Sequence, residues 1–155
     1  MKLRAATGDD LDILAALHAL AFQPGWDAEE MADLGSGPGA FALIVEDDMP
    51  FGMILCRAVA GEAEILTLAV DPERRRRGAA LALVEAAAGL AHQAGAQEMF
   101  LEAAVDNPAA LALYEKAGFA RVGLRPGYYE RPGNAAVDAV VMRRDLNTGP
   151  ISTYS

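Results

Sequence analysis

The segment of the chain that decides the fold is residues 66–81, LTLAVDPERRRRGAAL. Five strand-forming residues run into an Asp-Pro turn, four consecutive arginines follow, and small residues then begin a long helix. The first turn of a helix presents unpaired N–H groups and the positive end of the helix dipole, which together bind phosphate. Gly78, Ala79 and Ala80 would let an anion approach the backbone closely. The segment indicates a phosphate site. The alternative is that the arginines form a solvated loop and that the small residues after them are ordinary helix residues.

The elements around this segment follow from hydrophobic periodicity and turn residues. Before it, three strand-forming stretches joined by short turns predict an antiparallel meander. After it, a helix is predicted over residues 76–94, and another begins after Asn107, which is expected to be its N-cap. Two final strands are predicted at residues 120–124 and 137–143. The order β-α-α-β-β-β-α-β-α-β-β predicts an α/β (α+β) fold with one central mixed sheet flanked by helices.

Length and composition limit the class of protein. The 155 residues suit one domain, predicted over residues 1–146, with a flexible polar tail over residues 147–155. One cysteine, Cys56, and two histidines are too few for a disulfide framework or the common zinc sites, so no metal is expected. The lack of a long apolar run or a hydrophobic leader favours a cytoplasmic protein without a membrane partner. A net charge of −9 disfavours nucleic acid and favours basic partners.

The arginine turn and a second motif downstream together resemble a known family. Residues 75–80, R-x-x-G-x-A, resemble the Q/R-x-x-G-x-G/A pyrophosphate loop of the GNAT acetyltransferases. Residues 101–102, LE, and residues 107–119, N-x-x-A-x-x-L-Y-E-x-x-G-F, resemble the rest of that signature. The resemblance covers residues 2–146. It is closest to the bacterial ribosomal-protein-alanine N-acetyltransferases of the RimI type, through the phrases LAVDP (68–72), ALYE (112–115), GYY (127–129) and DAxxM (138–142).

This resemblance implies the GNAT fold and acetyl-CoA as the acetyl donor, with CoA as the product. It implies that a strand backbone lines the acetyl end of the donor, and that the basic turn and the start of the next helix hold the pyrophosphate. The implied cofactor-binding residues are Leu68, Ala69, Val70, Arg75, Arg76, Arg77, Gly78, Ala79, Ala80, Leu81 and Asn107.

The resemblance also implies two catalytic residues. Glu102 would be the general base for the acceptor amine, and Tyr114 the general acid that protonates the CoA thiolate. Glu102 follows three apolar residues in what should be a central strand, where a carboxylate is unusual unless it has a partner or a function. Both residues also have a non-catalytic interpretation. Glu102 would then be an ordinary charged residue at a strand end, and Tyr114 a half-buried aromatic residue on an amphipathic helix.

Trp26, Tyr128 and Tyr129 are the candidates for binding the acceptor, which by resemblance is a basic protein or peptide N-terminus. Gly25 stands where proline is usual before this tryptophan, and Asp106 where serine is usual before Asn107. The expected function is acetylation of an N-terminal α-amine, with the alanine-starting small-subunit ribosomal protein as the acceptor. A GNAT enzyme for a small-molecule amine and a non-catalytic acetyl-CoA-binding module are the alternatives, and the oligomeric state is left open.

Overall fold

The computed structural model describes residues 1–22, 25–75 and 78–147, and within these it contains seven strands and four α-helices. They follow one another in the predicted order: β1 Lys2–Ala5, α1 Leu11–Ala21, α2 Ala28–Gly35, β2 Ala40–Glu46, β3 Pro50–Val59, β4 Glu62–Val70, α3 Ala79–Gln93, β5 Glu98–Ala104, α4 Pro108–Lys116, β6 Ala120–Arg131 and β7 Asn134–Asp145. The predictions for Arg76, Arg77 and the tail residues 148–155 fall outside the described residues. No described helix is long and apolar enough to cross a membrane.

The strands form a single mixed sheet, as predicted, in the order β1-β2-β3-β4-β5-β7-β6. All neighbouring strands are antiparallel except β4 and β5, which are parallel because α3 connects them. The last two strands form a hairpin, and β7 lies beside β5 while β6 forms the edge of the sheet.

The parallel pairing of β4 with β5 is short. It joins only Glu62–Glu64 to Glu98–Phe100, although both strands continue beyond this within the described residues. In β4, Leu66 is an extra residue, because Leu55 of β3 is opposite Thr67 while the next residue of β3 is opposite Ile65. Such a bulge bends a strand. The two strands therefore separate towards their carboxyl ends, and a cleft opens between them.

Helices cover the sheet on both faces. On one face, α3 and α4 pack on a core that includes Leu83, Met99 and Leu101. On the other face, α1 and α2 pack on a smaller core that includes Leu14 and Met53. In the covered strands, successive residues face one core and then the other by alternation. The cleft between β4 and β5 therefore has the core of α3 and α4 on one face and the core of α1 and α2 on the other.

Several boundaries differ from the predictions for local reasons. The helix expected from residue 76 begins at Ala79, because Gly78 is its N-cap with a left-handed φ of 76°. The final strands are longer than predicted, since bulges accommodate Pro126 and Gly127 within β6. Asp10 is the N-cap residue of α1, but its side chain bonds to no N–H of that helix: it accepts hydrogen bonds from the Arg4 guanidinium, at 3.0 and 3.1 Å, and from the Thr7 backbone N–H.

Gly25 can now be explained by the close approach of its backbone to α1. A Cβ atom at Gly25 would lie 2.7 Å from the Ala19 Cα, a distance that backbone atoms cannot accommodate without a shift. We expect Gly25→Ala to lower the free energy of unfolding by about 1–3 kcal/mol. Urea denaturation measures this change. Gly8→Ala is the matched control, because its Cβ would meet nothing within 4 Å, and a change within about 0.5 kcal/mol is expected there. Equal stabilities of the two variants would contradict the steric explanation.

Candidate active site

A depression of about 410 Å³ lies on the face of the sheet that carries α1 and α2, where β5 begins to leave β4. Its lining includes Arg57 of β3, Glu62 and Glu64 of β4, and Phe100 and Glu102 of β5. In β5, alternation directs Met99 and Leu101 into the core below α3, so Phe100 and Glu102 face the opposite side. Three carboxylates at one depression make it suited to a cationic ligand.

Glu102 lies at the part of β5 that has left β4. Its side chain is 23 % exposed, and its Oε1 atom is 3.2 Å from the Arg125 guanidinium of β6. The guanidinium of Arg125 also lies over the ring of Tyr128, 4.7 Å from the centroid. Arg125 was missed by the sequence analysis. No local signal could have found it, because only the register of β6 on β7 and of β7 on β5 brings it to Glu102.

The two predicted acceptor tyrosines have different environments. The Tyr129 hydroxyl donates a hydrogen bond to the backbone carbonyl oxygen of Glu102, at 3.1 Å. Burial, with a smaller effect of the Glu102 charge, raises the pKa of Tyr129 to about 12. Tyr128 packs edge-on against Tyr129 and is 48 % exposed. Tyr129 thus holds the backbone at Glu102, and Tyr128 is the one available to a ligand.

Tyr114 lies on α4 within the core on the other face of the sheet. Its ring is buried and packs edge-on against Phe119 at 5.9 Å between centroids. Among the described residues its hydroxyl has no hydrogen-bond partner, yet no fully buried side-chain oxygen or nitrogen there lacks one. The hydroxyl therefore reaches accessible surface. Burial, helped by the nearby Cys56 and Tyr129, raises the pKa of Tyr114, so this hydroxyl keeps its proton at neutral pH.

The start of α3 has the features of an anion site. No described side chain caps this helix, and the Ala82 N–H bonds to the Gly78 carbonyl, so among the described residues the N–H groups of residues 79–81 remain for a ligand. A Cβ on Gly78 would meet nothing within 4 Å, so the space before the helix is open. Arg75 is exposed beside it. Arg74, by contrast, pairs with Asp47 at 3.7 Å.

The other predicted cofactor residues lie at the two sides of the cleft. Ala69 packs in the core below α1, whereas Leu68 and Val70 face the α3 core, so these three offer a ligand mainly their backbone groups. Asn107 is the N-cap of α4, as predicted, and its Oδ1 accepts the Ala110 N–H at 3.1 Å. This hydrogen bond leaves the amide nitrogen of Asn107 available.

Asp106 has a structural partner that explains its departure from serine. Its carboxylate pairs with the Arg131 guanidinium through hydrogen bonds of 2.8 and 3.0 Å. These bonds hold the pKa of Asp106 below its usual value. The pair fastens the β5–α4 loop to the β6–β7 hairpin, and Arg131 also lies over the ring of Tyr129. Elsewhere, the described residues place no three His, Cys, Asp or Glu side chains where they could hold a metal ion.

Trp26 lies on the α1–α2 side of the cleft. Its backbone N–H donates to Nδ1 of His18 at 2.9 Å, and the two rings stack with centroids 4.5 Å apart. Phe22 stacks on the other side of His18 at 4.4 Å. Residues 18 and 22 are four positions apart at the end of α1, so the helix itself brings these two rings together, whereas only the fold adds Trp26.

Comparisons with known proteins agree with this architecture. Residues 11–119 match the acetyltransferase (GNAT) family. An N-alpha-acetyltransferase of Saccharolobus solfataricus is 30 % identical over 161 residues, which cover 93 % of this chain and 92 % of that protein. A ribosomal protein bS18-alanine N-acetyltransferase of Haemophilus ducreyi is 31 % identical over 97 residues, covering 63 % and 67 %. An uncharacterized protein of Mycobacterium leprae is 44 % identical over 84 residues, and the chain spans only 22 % of its length.

Solved structures confirm the predicted fold. The ribosomal-protein-S18-alanine N-acetyltransferase from Escherichia coli superimposes with a TM-score of 0.86, at 24 % identity, over 99 % of both chains. NAA60 of Arabidopsis thaliana, solved in complex with acetyl-CoA, gives a TM-score of 0.81 at 19 % identity, over 95 % of this chain and 99 % of that one. At these identities the likeness concerns the fold.

The contact between His18 and Trp26 should titrate. Burial holds the pKa of His18 below its ordinary value of 6.5, and protonation of Nδ1 removes the acceptor for the Trp26 N–H. Trp26 is the only tryptophan in the chain, so we expect its fluorescence to change on acidification with a midpoint below pH 6.5. Because the unfolded chain takes up this proton at higher pH than the folded chain, the free energy of unfolding should fall as the pH drops below about 6.5.

A matched pair of variants assigns this titration. His92→Gln removes the exposed histidine of α3 and should leave the fluorescence transition unchanged. His18→Phe should abolish it. A transition that survives in His18→Phe would contradict the assignment.

Proposed function

We propose that this chain, which belongs to the acetyltransferase (GNAT) family, acetylates the N-terminal α-amine of a protein, with the alanine-starting small-subunit ribosomal protein as the acceptor. Membership of the family confirms the resemblance stated from the sequence, and GNAT enzymes use acetyl-CoA. The observation that supports the proposal best is the position of Glu102, on the strand that leaves β4, at an open depression rich in carboxylates. The bacterial relative named for the alanine of ribosomal protein bS18 supports the choice of acceptor.

The cleft has the features that acetyl-CoA requires. Beyond Glu64 the edge of β4 that faces β5 has no strand partner among the described residues, so its backbone groups are available to an extended ligand. The uncapped start of α3, with Arg75, offers N–H groups and charge for the pyrophosphate. Arg76 and Arg77 are proposed to add to this charge, and Asn107 to contact the donor through its free amide nitrogen. When bound, acetyl-CoA supplies the activated acetyl thioester.

Glu102 is proposed to receive the proton of the acceptor amine. An α-amine has a pKa of roughly 7.7–8.0, so its proton is removed at neutral pH with modest help, whereas a lysine amine at about 10.4 needs more. In the structure this carboxylate pairs with the Arg125 guanidinium. A cationic acceptor carries the same charge as Arg125 and can take its place in the pair. The charge of the depression therefore favours an acceptor that arrives as an ammonium ion.

Tyr114 is proposed to donate the proton that the leaving thiolate needs. Its burial keeps the hydroxyl protonated, and the hydroxyl has no partner among the described residues to compete for that proton. The backbone N–H of Leu68 or Val70 is proposed to stabilise the negative charge that develops on the thioester oxygen. The base and the acid would then act from opposite faces of the sheet, through the gap between β4 and β5.

The acceptor can be identified directly by mass spectrometry. The protein and acetyl-CoA are incubated with an alanine-starting peptide of the host's ribosomal protein, an Nα-blocked lysine peptide and several free amino acids. We expect an acetylated product confined to the alanine peptide, because the open depression accepts a chain and an α-amine loses its proton most easily. Products among the free amino acids alone would refute the protein acceptor. Acetyl-CoA binding without any product would refute the enzymatic role.

The proposed acid is tested by Tyr114→Phe. Turnover should fall by about 10²- to 10⁴-fold, because the thiolate loses its proton donor, while the Kd for acetyl-CoA changes little. His92→Gln, at an exposed position of α3 outside the site, is the control and should retain turnover within a few-fold. Steady-state kinetics with calorimetric measurement of acetyl-CoA binding separates the two effects. Equal losses of turnover and of affinity in Tyr114→Phe would argue against the acid role.

A further inference from the structure

Trp26, in the segment before α2, is held by one buried histidine. His18 is 3 % exposed and lies between the parallel rings of Phe22 and Trp26, with interplanar angles of 17° and 11°. Its Nδ1 accepts the Trp26 backbone N–H at 2.9 Å, so the neutral ring carries its proton on Nε2. A residue that only filled space here would need no acceptor. The hydrogen bond therefore gives His18 a specific structural task.

This task concerns where Trp26 lies. Trp26 packs against the core that contains Met53 and Ala69, and Ala69 belongs to the half of β4 that borders the cleft. The backbone before it touches α1 so closely that Gly25 has no room for a side chain. Two contacts thus fix Gly25 and Trp26 on the face of the sheet that carries α1 and α2, next to β4.

We propose that His18 is a positioning residue for the acceptor: its Nδ1 and its ring hold Trp26 as one wall of the acceptor side of the cleft. The inference rests on the proposed function, since it assumes an acceptor in the depression next to Glu102. His18 lies on α1, whereas the proposed donor groups belong to β4, α3 and Asn107. Loss of His18 should therefore affect acceptor binding and leave acetyl-CoA binding unchanged.

Two substitutions separate the contributions of the ring and of the hydrogen-bonding atom Nδ1. His18→Phe keeps a stacking ring and removes the hydrogen-bond acceptor for the Trp26 N–H. His18→Asn keeps a hydrogen-bond acceptor, an amide oxygen near the Nδ1 position, and removes most of the ring. We expect His18→Phe to raise the KM for the alanine peptide about tenfold, the effect of one lost hydrogen bond. His18→Asn should recover part of this loss. The kcat and the Kd for acetyl-CoA should stay within about twofold, and His92→Gln should match the unchanged protein in all three.

A second readout does not depend on any acceptor. Acrylamide quenching of Trp26 fluorescence measures the exposure of this side chain, and we expect quenching to increase in His18→Phe and less so in His18→Asn. Unchanged quenching and an unchanged KM in folded His18→Phe would overturn the inference, as would a parallel loss of acetyl-CoA affinity. If the unchanged protein acetylates no peptide, the proposed acceptor is wrong, and so is the proposal that His18 positions it. Increased quenching in His18→Phe would in that case still show that His18 holds Trp26.

Discussion

The separation of β4 from β5 is the constraint on which the rest of the structure depends. Parallel strands must lie about 4.8 Å apart to form a ladder, and here the ladder ends after three residue pairs. The bulge at Leu66 bends β4 away, and backbone groups that a central sheet would normally satisfy become available to a ligand. The start of α3 lies beyond the end of one strand and Glu102 on the other. The proposed donor and acceptor sites therefore meet at this gap.

The β6–β7 hairpin sets the environment of Glu102. Arg125 pairs with its carboxylate, Tyr129 bonds to its backbone oxygen, and Arg131 ties the hairpin to the following loop through Asp106. All three contacts involve β6, the edge strand of the sheet, so movement of the hairpin would alter the charge and the access at Glu102 together. On the other side of the cleft, His18 and Gly25 fix Trp26 in an equally specific way.

Burial keeps three titratable side chains of the interior neutral. It raises the pKa of Tyr114 and of the Cys56 thiol and lowers the pKa of His18, because a low-dielectric interior disfavours the charged form of each. For Cys56 the result is a protonated thiol that packs in the core. For Tyr114 the result is a retained proton, and for His18 a free acceptor nitrogen. Burial in a low-dielectric interior is the common cause of all three protonation states.

The sequence by itself determined the order of the elements, the mixed sheet, the N-cap at Asn107 and the strand–turn–helix that presents an uncapped helix start. These features depend on residues within one or two turns of each other, and local periodicity and capping chemistry determine them. Only the tertiary structure decided the place of β7 between β5 and β6, the pairing of Arg125 with Glu102 and the contact of His18 with Trp26. Strand register brings Arg125 to a carboxylate 23 positions away, and the packing of a loop on α1 brings Trp26 to His18. No pattern of neighbouring residues encodes such distances, because they follow from the free energy of the whole packed sheet.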